Sequence, residues 1–263
     1  MNKEFFEKLS KENKDLIFSI ASKEYKYMAH NWFLHLKKIG LEDQSIVMCS
    51  DFDTVNYLKE NNVNCMFFAD DLENTVKIEQ INKFYNLNHE MYLVLIVESL
   101  FKKYNFNLLL SDVDMIFLKN PLPYFNNELM KNFDGYFYQN IDRNETSIEN
   151  KKIFGNIVFF TKKSFFKIQN AIQSIETLDM ENLDIQGISN IFNLNLKVLN
   201  NYLFCHSSLI ETKNVDLLLK DTIYCIHYSD MEINGFLKQI DYNLNASISK
   251  KINLMKKHNN WLI

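Results

Sequence analysis

Asp112 and Asp114 flank a single valine directly after Leu108-Leu-Leu110 and Ser111. Two carboxylates at i and i+2, placed where an apolar strand opens into a turn, can face one divalent cation and leave its other positions to phosphate oxygens. Carboxylates so close to a buried strand end are costly unless something cationic meets them. The chain has one arginine, Arg143, among its 29 basic residues, so Mn2+ or Mg2+ is a better clamp for phosphate charge than an Arg fork. Further on, His227 ends a short apolar run from Ile223 to Ile226 and precedes Gly235 and Lys238. Between them lies Asp184-Ile-Gln186-Gly-Ile-Ser-Asn190, whose Asp184 also reads as a helix N-cap.

The surrounding pattern must bring these residues together. Short apolar runs alternate with helical spacing over the first 110 or so residues, as expected of βαβ units in an α/β sheet. Strands are expected at Leu16–Ala21, Ile46–Cys49, Asn64–Phe68 and Phe106–Leu110. Tyr27, Trp32, Leu36 and Ile39 mark the apolar face of a helix that Gly40 ends, and Phe52, Val55 and Leu58 mark that of a second. A further helix is expected over residues 90–103. Ligand sites in open α/β sheets lie beyond the carboxyl ends of strands, where the acidic pair falls. Pro121 and Pro123, the two prolines of the chain, stiffen the segment after it. Later strands are expected at 135–139, 153–161 and 222–228, with helices at 163–175 and 185–192 and a polar loop at 140–152.

Composition narrows the function. With 47% hydrophobic and 14% aromatic residues in 263, the chain can bury a large core, and it is expected to form one domain. A net charge of -4 and scattered lysines argue against a nucleic-acid partner. No apolar run approaches the ~20 residues of a membrane-spanning helix, and the first residues lack the order of a secretory signal. A soluble, cytoplasmic protein is therefore expected. Cys49, Cys65, Cys205 and Cys225 are widely spaced in apolar contexts and read as buried free thiols.

The run Leu108-Leu-Leu-Ser-Asp-Val-Asp-Met-Ile-Phe-Leu-Lys-Asn-Pro-Leu-Pro-Tyr-Phe125 resembles the nucleotide-diphospho-sugar transferases, which include plant xylosyl- and arabinosyltransferases and protist galactosyltransferases. The resemblance extends more weakly to His30-Asn-Trp32, to Val47–Asp51, and to His227 and Trp261. It implies a GT-A fold: a single Rossmann-like mixed sheet flanked by helices, with a nucleotide-binding half at about 1–120 and a smaller acceptor-side half at about 121–263. It implies a metal-dependent, retaining glycosyltransferase that takes a UDP-sugar as donor and a glycan or glycoprotein as acceptor. By position, Ala21, Ser22, Tyr27 and Asp51 would line the nucleotide pocket. Asp112 would touch donor and metal, and Asp114 would chelate the metal. The order His227, Gly235, Lys238 resembles that of glycogenin-like transferases, which would make His227 a metal ligand and Lys238 a diphosphate contact, with a longer spacing than in those relatives. Gln186, with Asp184 second, would support the sugar during catalysis. Phe154–Phe160 resembles a strand bordering the acceptor.

Two other readings share these features. An apolar strand followed by D-x-D also opens the haloacid-dehalogenase phosphatases, although there the motif begins the domain. A sugar-nucleotide-binding protein without catalysis is the non-enzymatic alternative.

Overall fold

The computed structural model describes residues 2–67, 100, 103–104, 106–127, 132–137, 157–164, 166–167, 195–199, 203–207, 222–228 and 244–263. Helix α1 (Asn2–Lys11) leads into β1 (Leu16–Ala21), α2 (Lys26–Lys38), β2 (Ser45–Cys49), α3 (Phe52–Glu60) and β3 (Cys65–Phe67). Then come β4 (Leu108–Ser111), β5 (Met115–Phe117) and a single-turn helix α4 (Leu122–Phe125). The later elements are β6 (Gly135–Phe137), β7 (Ile157–Phe160), β8 (Leu196–Val198), β9 (Phe204–His206), β10 (Cys225–His227) and α5 (Leu244–Lys257).

Seven strands form one sheet in the order β3-β2-β1-β4-β7-β6-β8, and β5-β10-β9 form a second. Strands β1 to β4 run parallel, whereas β7 is antiparallel to β4 and to β6. Every residue of β2 and β4 is buried, as expected of parallel strands covered on both faces. The chain steps outward from β1 to β2 and β3, then returns to place β4 on the other side of β1. In doubly wound sheets such a reversal marks the usual ligand position, a crevice beyond the strands' carboxyl ends, here those of β1 and β4. Ser22 and Asp112 are the first residues past those two ends.

Helix α2 packs against β1, β2 and β5. Its Met28, Ala29, Trp32 and Leu36 are buried in the main core, and Gly40, at φ +72°, takes the left-handed position that ends the helix. The apolar faces differ from those expected in two places. Tyr27 and Phe52 are exposed rather than core residues, because each stands at the start of its helix on the carboxyl edge of the sheet. Val55 and Leu58 carry the buried face of α3, joined by Thr54.

The expected strands fall on β1, β2, β3 and β4 with ends shifted by one or two residues, and 222–228 narrows to Cys225–His227. The expected helices at 90–103 and 163–175 lie mostly outside the described residues, as do the helix at 185–192 and the loop at 140–152. The four cysteines are free and buried. Among the described residues, no helix is long and apolar enough to cross a membrane.

Candidate active site

The turn after β4 is fixed from three sides. Buried Trp32 on α2 donates its indole N–H to Ser111 Oγ at 2.8 Å, which pins the last residue of β4. The Met115 amide closes the turn onto the Asp112 carbonyl at 3.1 Å. The Tyr228 amide donates to the Asp114 carbonyl at 3.0 Å. The chain then continues straight into β5, which pairs antiparallel with β10 so that Met115 lies opposite His227. This register puts the side chain of His227 beside that of Asp114, although the two lie 113 positions apart in sequence.

Three ionisable groups meet here in a largely dry setting: Asp114 is 5% exposed, His227 4% and Lys251 8%. Lys251 reaches in from α5 and donates to Asp114 Oδ2 at 2.8 Å. The other oxygen, Oδ1, is buried and accepts no hydrogen bond. His227 Nε2 stands 3.6 Å from it, too far for a hydrogen bond but close enough for both atoms to touch one small cation. Burial pushes the Asp114 carboxyl up, and the adjacent His227 and Lys251 more than reverse this, holding it well below the usual carboxylate range. Asp114 is therefore charged at any pH near neutral.

Asp114 and His227 thus fit a divalent cation as a carboxylate-imidazole pair with one acceptor oxygen still unmet. Asp112, half-buried two residues earlier, is not gathered with them: among the described residues no three His, Cys, Asp or Glu side chains converge as a ready-made metal site.

The expected nucleotide-pocket residues lie along the carboxyl edge of β1 and β2 with differing availability. Ala21 is buried, and its carbonyl accepts from the Ser50 amide at 3.0 Å. Ser22 donates to the Glu24 carboxylate at 2.7 Å. Tyr27 is exposed, packs edge-on against Tyr57 at 5.0 Å and shares the Lys26 ammonium with it. Asp51 caps α3: its carboxylate accepts from the Thr54 amide at 2.7 Å and from the Thr54 hydroxyl at 2.8 Å. Asp184, Gln186 and Lys238 lie outside the described residues.

Lys251 went unread in the sequence. Its signal was a lysine on the apolar face of a C-terminal helix, since Ser247, Ile248, Lys251 and Met255 form the buried stripe of α5. That helix is anchored to α2 through the chain end. Asn31 Nδ2 and His35 Nε2 both meet the Asn260 carbonyl at 3.0 Å, and the Leu262 amide donates to Asn31 Oδ1 at 2.7 Å. Asn260 Nδ2 in turn donates to the Tyr228 hydroxyl at 2.8 Å, next to His227. Trp261 is half-buried against the core.

The profile of the nucleotide-diphospho-sugar transferase family matches residues 40–183. The chain is 24% identical over 175 residues to arabinosyltransferase RRA1 of Arabidopsis thaliana, a match covering 64% of this chain and 42% of that protein. It therefore spans less than half of that curated relative. Among solved structures it is similar to the galactosyltransferase LgtC in complex with donor and acceptor sugar analogues. The TM-score is 0.53 at 12% identity, over 92% of this chain and 95% of that one. The apo bifunctional glycosyltransferase WbbM gives a TM-score of 0.55 at 12% identity, over 92% of this chain and 49% of the other. At these identities the likeness is one of fold.

Proposed function

Because the chain belongs to the nucleotide-diphospho-sugar transferase family, and is accordingly a GT-A glycosyltransferase drawing on a nucleotide-sugar donor, we propose that its reaction is metal-dependent and retaining, with a UDP-sugar as donor and a glycan or protein-linked glycan as acceptor. The family match displaces the phosphatase alternative. The observation that carries the metal reading is the unmet Asp114 Oδ1, buried 3.6 Å from His227 Nε2 beyond the sheet's carboxyl edge.

In this reading Asp114 and His227 would hold Mn2+ or Mg2+, and Asp112 would touch the donor beside them. The bound ion supplies Lewis-acid neutralisation of the charge that grows on the diphosphate as the sugar bond breaks. The residues of the chain do the rest. Trp32 and Ser111 fix the turn that carries both carboxylates. Ser22, Tyr27 and Asp51 border the nucleotide at the carboxyl edge of β1 and β2, Tyr27 by its exposed ring and Asp51 by ordering the start of α3. Lys238 meets the diphosphate. The acceptor attacks on the side from which the diphosphate leaves, and the diphosphate takes the acceptor proton, so no separate carboxylate base is required. Gln186, with Asp184 second, steadies the developing positive charge of the sugar from the opposite face. We further propose that 1–263 acts as one domain in the cytoplasm.

Release or transfer of sugar from a panel of UDP-sugars, measured with Mn2+ and then with excess EDTA, tests this reading. Turnover confined to the Mn2+ arm is expected. Full turnover in EDTA would remove the metal from the mechanism, and turnover of simple phosphomonoesters alone would remove the donor.

A further inference from the structure

Lys251 belongs to none of the motifs that define the site, yet its ammonium lies 2.8 Å from Asp114 Oδ2, nearer than the 3.6 Å between His227 Nε2 and Asp114 Oδ1. Both side chains are buried, and Lys251 sits in the middle of the stripe with which α5 packs into the molecule. A buried carboxylate must be compensated, and the Lys251 ammonium at contact distance supplies part of that compensation. Bringing a divalent ion onto the same carboxylate would set it beside the buried Lys251 ammonium, with little solvent to screen the repulsion between the two cations. A donor diphosphate changes that balance, because it offers new negative oxygens to either cation.

We infer that Lys251 is the resident counter-ion of this site: it holds Asp114 in the donor-free protein, opposes divalent-cation binding there, and relinquishes the carboxylate when a nucleotide diphosphate enters. This rests on the metal reading above and adds an order to it. Cation and nucleotide bind poorly alone and well together, and the coupling runs through one lysine. By linkage, each tightens the other by the same factor. Lys251 is thus a positioning residue acting through Asp114, and its consequence is visible in binding without any turnover.

The test is a titration of the metal-stripped full chain with Mn2+, followed by the electron paramagnetic resonance signal of free Mn2+, with and without UDP. Lys251→Gln removes the charge and keeps a polar end, Lys251→Met removes both, and Lys251→Arg keeps the charge. Far-UV circular dichroism establishes which variants fold, and Lys251→Gln carries the test if Lys251→Met does not. Without UDP, the neutral variant should bind Mn2+ at least tenfold more tightly than wild type, and Lys251→Arg should stay weak. UDP should tighten Mn2+ binding at least tenfold in wild type and distinctly less in Lys251→Gln. Equal or weaker Mn2+ binding by Lys251→Gln in the absence of UDP overturns the inference, while loss of wild-type binding in Asp114→Asn would leave the metal reading standing. Mn2+ binding that survives Asp114→Asn, or none in any variant with UDP, overturns both.

Discussion

Asp114 is a carboxylate whose burial and charge oppose each other. Burial pushes its titration up, and His227 and Lys251 bring it well below the usual range. A carboxyl with a lowered folded pKa contributes stability that is complete above its unfolded value of roughly 4 and is lost as pH falls through the lower folded value. Asp114→Asn removes that contribution and takes the carboxylate charge away from the buried Lys251 ammonium, a kind of change that costs about 3–5 kcal/mol in comparable buried pairs. Urea unfolding at pH 7 should register that loss, and donor turnover should fall at least a hundredfold. Wild-type stability with wild-type turnover would contradict the assignment. Asp15 has the opposite sign. Burial raises its titration despite hydrogen bonds from Asn126 at 2.6 Å and Asn107 at 2.7 Å. Its charged form therefore costs stability, and that cost grows as pH rises through the raised value. Asp15→Asn should compare more favourably with wild type at pH 7 than at pH 4, measured by urea midpoints at both. A preference in the other direction would mean that the two amides stabilise the carboxylate more than burial penalises it.

At the scale of elements, the site depends on two anchors far from the carboxylates in sequence. The first joins α2 to β4, where the Trp32 indole N–H donates to Ser111 Oγ. Trp32→Phe removes the donor and part of a fully buried ring, and a loss of about 2–4 kcal/mol is expected from the lost hydrogen bond and the cavity. Because Ser111 precedes Asp112 directly, KM for the donor should rise as well. An unchanged KM in a folded variant would mean that the turn holds itself. The second anchor is the chain end, whose Asn260 carbonyl and Leu262 amide satisfy His35 and buried Asn31. Truncation after His258 leaves those polar groups unmet beside α5, at about 1–3 kcal/mol for each buried one. Thermal unfolding of the truncated chain should show a lower midpoint and, because α5 carries Lys251, altered Mn2+ binding. A midpoint equal to that of the full chain would show that water replaces the tail without cost.

At the scale of the molecule, the crevice beyond β1 and β4 should respond to a ligand as a unit. A nucleotide sugar held at 100 times its dissociation constant adds about 2.7 kcal/mol to the stability of a two-state fold. A screen of UDP-sugars by thermal shift should therefore raise the midpoint with Mn2+ and UDP-sugar together, and much less with either alone. Equal shifts from the nucleotide sugar with and without Mn2+ would argue for a metal-free pocket. Stereochemistry is likewise a property of the whole site, because it depends on which side the acceptor enters relative to the leaving diphosphate. Retention from an α-linked donor gives an α-linked product, which proton NMR reads from the anomeric coupling early in the reaction. A large coupling characteristic of a β-linked galactosyl, glucosyl or xylosyl product would establish inversion and remove Gln186 from its proposed place.

The local sequence was enough for the parallel strands and for the place of the acidic pair at the end of β4. Leu16–Ala21, Ile46–Cys49 and Leu108–Leu110 are apolar along their whole length because both faces of a parallel sheet are covered, so burial is written into consecutive residues. Asp112 and Asp114 follow the last of these directly, and strand and motif were legible together. Short strands such as β5 and β9 and the helix α5 were not, since three-residue runs give no period and α5 hides a lysine in its apolar face. His227 could be suggested from its order in the chain, but its place beside Asp114 is set by the pairing of β5 with β10. That pairing is non-local, and nothing in either segment alone specifies its partner. The same holds for Lys251: a lysine in an amphipathic helix reads as solvated surface until the packing of α5 brings its ammonium to a buried carboxylate. Sequence fixes which charges exist, and only the tertiary structure decides which of them are taken out of water together.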